Sequence, residues 1–485
     1  MSAITNETVA SDKARLHAPK GFWSLTFTEF WERFSYYGLQ GILTFYLIYS
    51  VVEGGLGLTP LVAIGIVGTY GGAVYLAQVV GAWIADRILA PRTTILVGGI
   101  VIMLGHIALA VFPGIVGLVF GLACIAIGTG LLKTNVSATI GVLFDKRPRT
   151  DQDAAFSYFY LGINMGAIAG PLLTGLLQSS IGFHIAFGLA AVGMAFGLTQ
   201  YAMCYCDLPE ETRIVKNPAP IRTRVTASAG AVIMFTAIAA LIATGVVRQE
   251  NLSLLMGCII LLVVIAYFAQ ILRSKDVTSA EKRRVRGYIP LWVAETIYYG
   301  FLLQIFTTIP LLVADRVDRN VGGFMVPEGW FSFIGTIAFV LALWLIASRW
   351  KESRVAELPP TTKFALGLLT VSLGYLLLLF TEPIPGRTIS PFFIAVCLIV
   401  AGVSEIFTGP IGMSLVTRIA PDGFRARLVG VKILTLGAGS TVASFFGGLY
   451  IKMSFPAFIL IISAIGLLSA ALLQSFSRRI EQQFT

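Results

Sequence analysis

Long runs of apolar residues alternate with short polar segments along almost the whole chain. A helix that crosses a membrane needs about 20 mostly apolar residues. By this criterion the pattern predicts an all-α polytopic membrane protein with fourteen spans. They lie at 22–50, 60–85, 93–112, 115–143, 154–180, 183–204, 226–247, 252–272, 288–313, 330–349, 364–381, 390–417, 428–449 and 454–476.

Two polar segments near the middle of the chain are longer than the other connections. One lies between the sixth and seventh spans and the other between the eighth and ninth. They predict an N-terminal six-helix bundle over 1–205, a linker with two extra transmembrane helices over 206–287, and a C-terminal six-helix bundle over 288–485.

The basic residues predict the orientation. If the N-terminus is cytoplasmic, 27 of the 35 Lys and Arg residues lie on the inner side, counting Arg349 at the inner end of the tenth span. Another 5 lie on the outer side and 3 within spans. Cytoplasmic segments are enriched in Lys and Arg, so we expect both termini in the cytoplasm and the protein in the inner membrane. The polar first 20 residues and the long apolar run after them predict a retained first helix, not a cleaved signal peptide.

Composition excludes several other classes of protein. Only 12% of residues are charged and 56% are hydrophobic, whereas soluble domains carry roughly 25% charged residues. The net charge of +10 follows the loops and forms no basic patch, so nucleic acid is not an expected partner. The chain shows no phosphate-binding loop, no metal-ligand spacing and no catalytic constellation. We therefore expect no enzyme activity and no cofactor, with an ion gradient as the driving force.

Seven ionisable residues interrupt the predicted spans. Each costs at least about 2.5–3.5 kcal/mol at the centre of a membrane helix, so such residues are functional candidates. Acids and bases together can neutralise one another by pairing. The seven are Glu29, Glu32, Arg33, Lys133, Glu295, Glu405 and Lys432.

The first span carries the densest group. Helical spacing places Glu29, Arg33, Tyr36, Tyr37 and Gln40 on one face, with Glu32 at its edge. This face should line a water-filled cavity. The planar guanidinium of Arg33 suits a carboxylate, so a substrate carboxylate and a proton on either Glu can be linked through it. Proton coupling fits this cluster better than sodium coupling, and an inert ion pair between helices is the alternative.

Three other polar groups have simpler alternatives. Lys133 needs an acid, and Glu295 or Glu405 would make a bridge between the halves, acting as a gate or as a permanent tie. Lys432 lies one turn inside its span and can extend to the interface. His106 and His184 are expected to be buried and neutral, each bonded to a backbone carbonyl.

Several motifs resemble those of the proton-dependent oligopeptide transporters, a branch of the major facilitator superfamily. The run Glu29-Phe-Trp-Glu32-Arg33-Phe-Ser-Tyr36-Tyr37 is similar to the family's E-x-x-E-R-F-x-Y-Y signature. Residues 75–87, 130–137, 159–166 and 405–421 resemble its second, fourth, fifth and tenth helices. Fourteen spans also fit bacterial members, which add a helix pair between the halves.

This resemblance implies a major facilitator fold and uptake of di- and tripeptides with protons by alternating access. It implies proton coupling by Glu29, Glu32 and Arg33, and a loop motif at Asp86 and Arg87. The residues that it places around the peptide are Arg33, Tyr36, Tyr37, Tyr75, Lys133, Asn164 and Glu405. Beyond the resemblance, we expect the buried acids Glu295 and Glu405 to take part in proton coupling, and Gln40 and Gln304 to lie beside the peptide. We also expect a monomer in the lipid bilayer.

Four positions depart from the family pattern. Gln40 stands where members usually carry a second Arg, and Leu303 stands where they carry an acid. Gly335 replaces an Asn and Lys432 replaces a Trp. Two alternatives therefore stay open, namely a proton-coupled carrier of another solute such as histidine, nitrate or a conjugate, and a substrate sensor that no longer transports.

Overall fold

The chain is almost entirely helical in the residues that the structure describes. The computed structural model describes residues 18–145, 147–226, 251–347, 357–381 and 388–484, with a few single positions between 229 and 248. In chain order the helices are α1 (Phe22–Ile48), α2 (Pro60–Arg87), α3 (Pro91–Val111), α4 (Gly114–Phe144), α5 (Arg149–Ser180), α6 (Phe183–Met203), α7 (Leu252–Arg273), α8 (Ser279–Leu302), α9 (Thr308–Arg316), α10 (Phe331–Ala347), α11 (Pro360–Leu376), α12 (Pro391–Ser404), α13 (Gly409–Ile419), α14 (Arg425–Lys452), α15 (Phe455–Ser475) and α16 (Ser477–Glu481). A short hairpin of β1 (Asn320–Val321) and β2 (Phe324–Met325) precedes α10.

Within the described ranges, twelve segments are long and apolar enough to cross a membrane. Helix α1, with 27 residues, is not one of these twelve, because its charged and polar residues together lower its mean hydropathy. The predicted seventh span, 226–247, falls mostly outside the described residues. The polytopic all-α class is confirmed, and the count of fourteen spans stays a prediction.

The helices pack in two groups. In the first, α1 packs against α5 and α6, and α4 packs against α2 and α3. In the second, α8 packs against α14, α11 against α15, and α10 against α12. The groups meet mainly where α2 packs on α14 and α5 on α10, and α7 lies against α2 and α14. The domain boundaries at 205 and 288 stay a prediction.

Two of the spans are broken near their middle. The span of α8 and α9 is interrupted by a 3-10 turn at Leu303–Phe306, and that of α12 and α13 by one at Glu405–Phe407. Pro310 and Pro410 follow closely; proline lacks the N–H that an unbroken helix would donate four residues back, and its ring crowds that carbonyl. The carbonyl of Phe306 instead accepts a hydrogen bond of 2.6 Å from Thr44 Oγ1 of α1. The apolar pattern predicts each of these spans as one continuous helix, so the breaks are a difference between the prediction and the structure.

A polar network joins the two groups at the end of the molecule where α1 stops. Glu328, which is buried, accepts hydrogen bonds from the Tyr49 hydroxyl and, at 3.5 Å, from Gln178. It also forms an ion pair of 2.7 Å with Arg319, beside the hairpin. This end, which we call the Glu328 end, is therefore held closed by contacts between the first group and the second.

Candidate functional site

The charged residues of α1 are buried together and paired. Arg33 donates to both carboxylate oxygens of Glu32, with Nη2 lying 2.6 Å from Oε1. Its Nε lies 3.7 Å from Glu29 Oε1. Glu29 and Glu32 are fully buried, and Arg33 is 4% exposed. The two-point contact makes Glu32 the main partner of Arg33, because a planar guanidinium matches a carboxylate bidentately.

Helix α4 completes this group. Lys133 Nζ contacts Glu29 Oε1 in a short ion pair, and the Thr129 hydroxyl donates to Glu32 at 3.1 Å. The expectation that Lys133 pairs with Glu295 or Glu405 is therefore not met in this conformation, because Glu29 on the neighbouring helix is already in contact. We call Glu29, Glu32, Arg33 and Lys133 the first-helix cluster.

The first-helix cluster is electrically neutral, and its members are buried except Lys133, whose side chain is 22% exposed. Two carboxylates and two cations balance, which is the form in which charges are least costly to bury. Their helical spacing predicts that these side chains line a water-filled cavity, but the two carboxylates are fully enclosed. Aromatic rings connect the cluster to its surroundings, since the Arg33 guanidinium carbon lies 4.9 Å from the Tyr36 ring centre and 5.7 Å from that of Tyr37.

A cavity lies between the two helix breaks. Its volume is about 110 Å³, well below the roughly 300–1,000 Å³ of typical ligand pockets, so a peptide would require it to widen. One wall is aromatic, with Tyr36, Tyr37, Tyr75 and Tyr299. The remainder of the wall includes Leu303, Phe306, Gly335, Gly402 and Glu405. Two of the positions that depart from the family pattern, Leu303 and Gly335, are thus part of this wall.

Glu405 is the charged residue of this cavity wall. It sits at the start of the second helix break, where the chain turns into α13. It has no ion-pair partner in the described part of the chain. A cationic group of a ligand could therefore reach its carboxylate directly.

Other predicted ligand residues are less accessible in this conformation. Gln304 is fully buried and is not among the residues that line the cavity. Gln40 is buried and donates to the Tyr36 hydroxyl at 3.4 Å. Asn164 donates to the Tyr160 carbonyl at 2.8 Å. Their contact with a substrate would need a change in side-chain or helix position.

The loop-motif residues lie apart from the cavity, at the end of α2. Asp86 and Arg87 are 3.1 Å apart and both are substantially exposed. Asn217, from the linker that follows α6, donates to Asp86 Oδ1 at 2.9 Å. The motif therefore anchors the linker in this conformation.

A second buried ion pair lies in the other group of helices. Lys432 Nζ on α14 is 2.6 Å from Glu295 Oε1 on α8, and the side chains are 3% and 0% exposed. The expectation that Lys432 extends to the membrane interface is wrong, because a carboxylate lies within reach inside the protein. We call Glu295 and Lys432 the C-terminal pair.

The two candidate histidines differ. His184 Nδ1 lies 2.8 Å from the Leu109 carbonyl, which confirms the expected backbone bond. His106 is fully buried, but neither ring nitrogen has a hydrogen-bond partner among the described residues. The expected carbonyl bond of His106 is therefore not seen.

Comparison with known proteins gives consistent matches along most of the chain. Residues 92–461 match the model of the POT family. The chain is 32% identical over 461 residues to the uncharacterized transporter YclF of Bacillus subtilis, covering 93% of each protein. It is 32% identical over 442 residues to a di-/tripeptide transporter of Lactococcus lactis subsp. cremoris, covering 87% of this chain and 88% of that protein. A crystal structure of peptide transporter POT in complex with sulfate superposes with a TM-score of 0.90 at 33% identity, covering 96% of each chain.

Proposed function

Because the chain belongs to the POT family, we propose that it imports di- and tripeptides together with protons by alternating access. It is a multi-pass membrane transporter and not an enzyme. The proposal includes a monomer in the inner membrane, with both termini in the cytoplasm and protons as the coupling ion. The relatives with peptide-transporter names support the choice of substrate.

The observation that carries this proposal is the complete pairing of the first-helix cluster. Both cations, Arg33 and Lys133, are held by a glutamate. A peptide carboxylate can take one of these cations only if its glutamate gives it up. Protonation of Glu29 or Glu32 has that effect, so the proton and the peptide favour each other's binding, as linkage requires of a symporter.

The peptide can be placed by its two charged ends. Its carboxylate would be bound by Arg33 and Lys133, and its ammonium group by Glu405 across the cavity. Tyr36, Tyr37 and Tyr75 would contact its backbone and side chains. Gln40, Asn164 and Gln304 would join after rearrangement, Glu295 would share in proton coupling, and Asp86 and Arg87 would act at the linker.

The closed Glu328 end fits one half of the transport cycle. In the proposed orientation α1 runs outward, so the Glu328 end faces the outside. Its contacts, together with the Thr44–Phe306 bond, close the cavity on that side. Peptide entry from outside would therefore need these contacts to break.

Transport in liposomes tests the proposal. Purified protein should accumulate labelled dipeptide when the outside is made acidic, and accumulation should collapse when a proton carrier removes the gradient. Binding of a peptide without uptake would support a sensor. Proton-driven uptake of histidine or nitrate, with no uptake of any peptide in a panel, would replace the proposed substrate class.

Two neutralising variants test the coupling role of the cluster. Glu29→Gln and Glu32→Gln should each abolish proton-driven accumulation while sparing counterflow exchange, which needs binding and reorientation but no net proton movement. Glu53→Gln serves as a control, because Glu53 is exposed and bonds only the neighbouring Ser50 in the described residues. Accumulation that survives both cluster variants would contradict the assignment.

A further inference from the structure

The C-terminal pair lies outside the first-helix cluster and is more deeply enclosed. Glu295 and Lys432 are separated by 2.6 Å, with 0% and 3% of their side chains exposed. Neither an isolated carboxylate nor an isolated ammonium is stable in a water-free interior. The charge states of the two residues are therefore linked, since Glu295 can stay ionised only while Lys432 is beside it.

The pair connects helices that line the cavity. It joins α8 to α14, and the Tyr288 hydroxyl donates to the second carboxylate oxygen of Glu295 at 3.4 Å. Lys432 Nζ lies 5.1 Å from the centre of the Tyr299 ring, and Tyr299 also lines the cavity with Glu405. A single aromatic side chain thus lies between the pair and the cavity.

Helix α13 packs directly against the C-terminal pair at Gly412. A Cβ atom on Gly412 would lie 2.6 Å from Glu295 Oε1 and 2.8 Å from Lys432 Cε, closer than unbonded atoms pack. Helix α13 has 11 residues and follows the break at Glu405–Phe407, so it can shift without α12 unwinding. Any such shift changes how well the pair is shielded from water.

We propose that Glu295 is a second proton acceptor of the transport cycle and that Lys432 is its positioning residue, an inference that rests on the proposed function. A hydronium ion that reaches the pair gives its proton to a Glu295 carboxylate oxygen. An O–H bond forms, the ion pair is broken, and the water molecule left behind hydrates the Lys432 ammonium. Lys432 keeps its ammonium protons, and its Nζ lies 5.1 Å from the centre of the Tyr299 ring. Protonation therefore releases the tie between α8 and α14. The ionisable groups that act on Glu295 are Lys432, Tyr288, Tyr298 and Tyr299.

The test is the number of protons moved per peptide. Peptide accumulation in liposomes is measured at equilibrium, over a series of pH gradients, with the membrane potential clamped at zero. Glu295→Gln and the double variant Glu295→Gln/Lys432→Met should each move one proton fewer than the unaltered protein. For each pH unit of gradient, their maximal peptide accumulation should be about tenfold lower than that of the unaltered protein. The reason is that each coupled proton contributes about a factor of ten per pH unit to the peptide concentration ratio. Counterflow exchange should continue in both.

Two further variants test whether Lys432 acts through its positive charge or only through its packing. Lys432→Met should also move one proton fewer per peptide, because Glu295 without a cation binds its proton permanently. Lys432→Arg should move the same number of protons per peptide as the unaltered protein. The double variant carries the test if a single variant fails to fold, because it leaves no unpaired charge.

The outcomes separate this inference from the proposed function. Absence of peptide accumulation by the unaltered protein would refute the proposed function itself. Normal accumulation with an unchanged proton number in the double variant would overturn only the role of the C-terminal pair. A loss in Lys432→Arg as large as in Lys432→Met would overturn Lys432 as a positioning charge.

Discussion

The first-helix cluster and the C-terminal pair differ in the number of partners available to each charge. In the first-helix cluster, Glu29 contacts Lys133 and also lies 3.7 Å from Arg33. In the C-terminal pair, the described residues offer Glu295 a single cation, Lys432. The cluster can exchange partners without leaving a bare charge, and the pair cannot. A proton or a substrate carboxylate can therefore replace one contact of the first-helix cluster at a time. The ion pair between Glu295 and Lys432, by contrast, is either intact or broken.

The sharpest way to break this comparison is to remove one lysine from each group. Lys432→Met should lower the free energy of unfolding by about 3–5 kcal/mol, the usual loss when one partner of a buried pair is removed. Lys133→Met should lower it by less, because Arg33 remains near Glu29 and Lys133 is already 22% exposed. Thermal unfolding of the purified proteins in detergent measures both.

Lys216→Met is the control for the two lysine variants, since Lys216 is exposed in the linker, and it should have no measurable effect. Equal losses of unfolding free energy for Lys432→Met and Lys133→Met would contradict the comparison. They would mean that Arg33 does not stabilise the Glu29 carboxylate when Lys133 is removed.

A smaller effect is expected from crowding the C-terminal pair without changing any charge. Gly412→Ala should destabilise the protein by about 1–3 kcal/mol, the usual penalty of overpacking, because its Cβ would collide with Glu295. Gly141→Ala is the matched control, since a Cβ there has no atom within 4 Å. Similar unfolding temperatures for the two variants would show that α13 is not tightly seated on the pair.

The smallest effect should come from the hydrogen bond between the two groups of helices. Thr44→Val removes the donor to the Phe306 carbonyl and should cost about 1 kcal/mol, the usual value of one such bond. Thr370→Val is the control, because that hydroxyl bonds a carbonyl of its own helix at 2.8 Å. A loss no greater than that of the control would mean that the bond between the groups contributes nothing.

Helical periodicity was enough to predict that the charged and aromatic residues of the first span lie together. The apolar runs predicted the membrane-spanning class, and the spacing from Glu29 to Gln40 placed the charged residues on one face of the first span. These features follow from the local sequence, because the rise and twist of a helix are fixed.

The pairing of charges could not be predicted in the same way. Glu29 and Lys133 are 104 residues apart, and their contact depends on how α1 packs beside α4. The prediction that Lys432 extends to the membrane interface used only its depth in the span. Its actual partner, Glu295, is determined by the packing of α8 on α14. Four acids and three bases allow several neutral arrangements, and only tertiary packing selects among them.

The two helix breaks share a sequence feature that a hydropathy pattern does not reveal. At both breaks a threonine is followed two residues later by proline, at Thr308–Pro310 and Thr408–Pro410. The surrounding residues are apolar, so each span is recognised as one continuous helix by hydropathy. Proline alone would not have located the breaks, because Pro171 and Pro290 lie inside α5 and α8, which continue through them.

The Phe306 carbonyl shows what opening of the Glu328 end would require. Pro310 leaves this carbonyl without a donor from its own helix, and Thr44 of the other group supplies one. If the two groups separate there, the carbonyl loses its partner at a depth where lipid cannot provide another. Water must then reach it, so admitting a solute from that side is also a wetting step, and the hydration of a single peptide group becomes part of the barrier to opening.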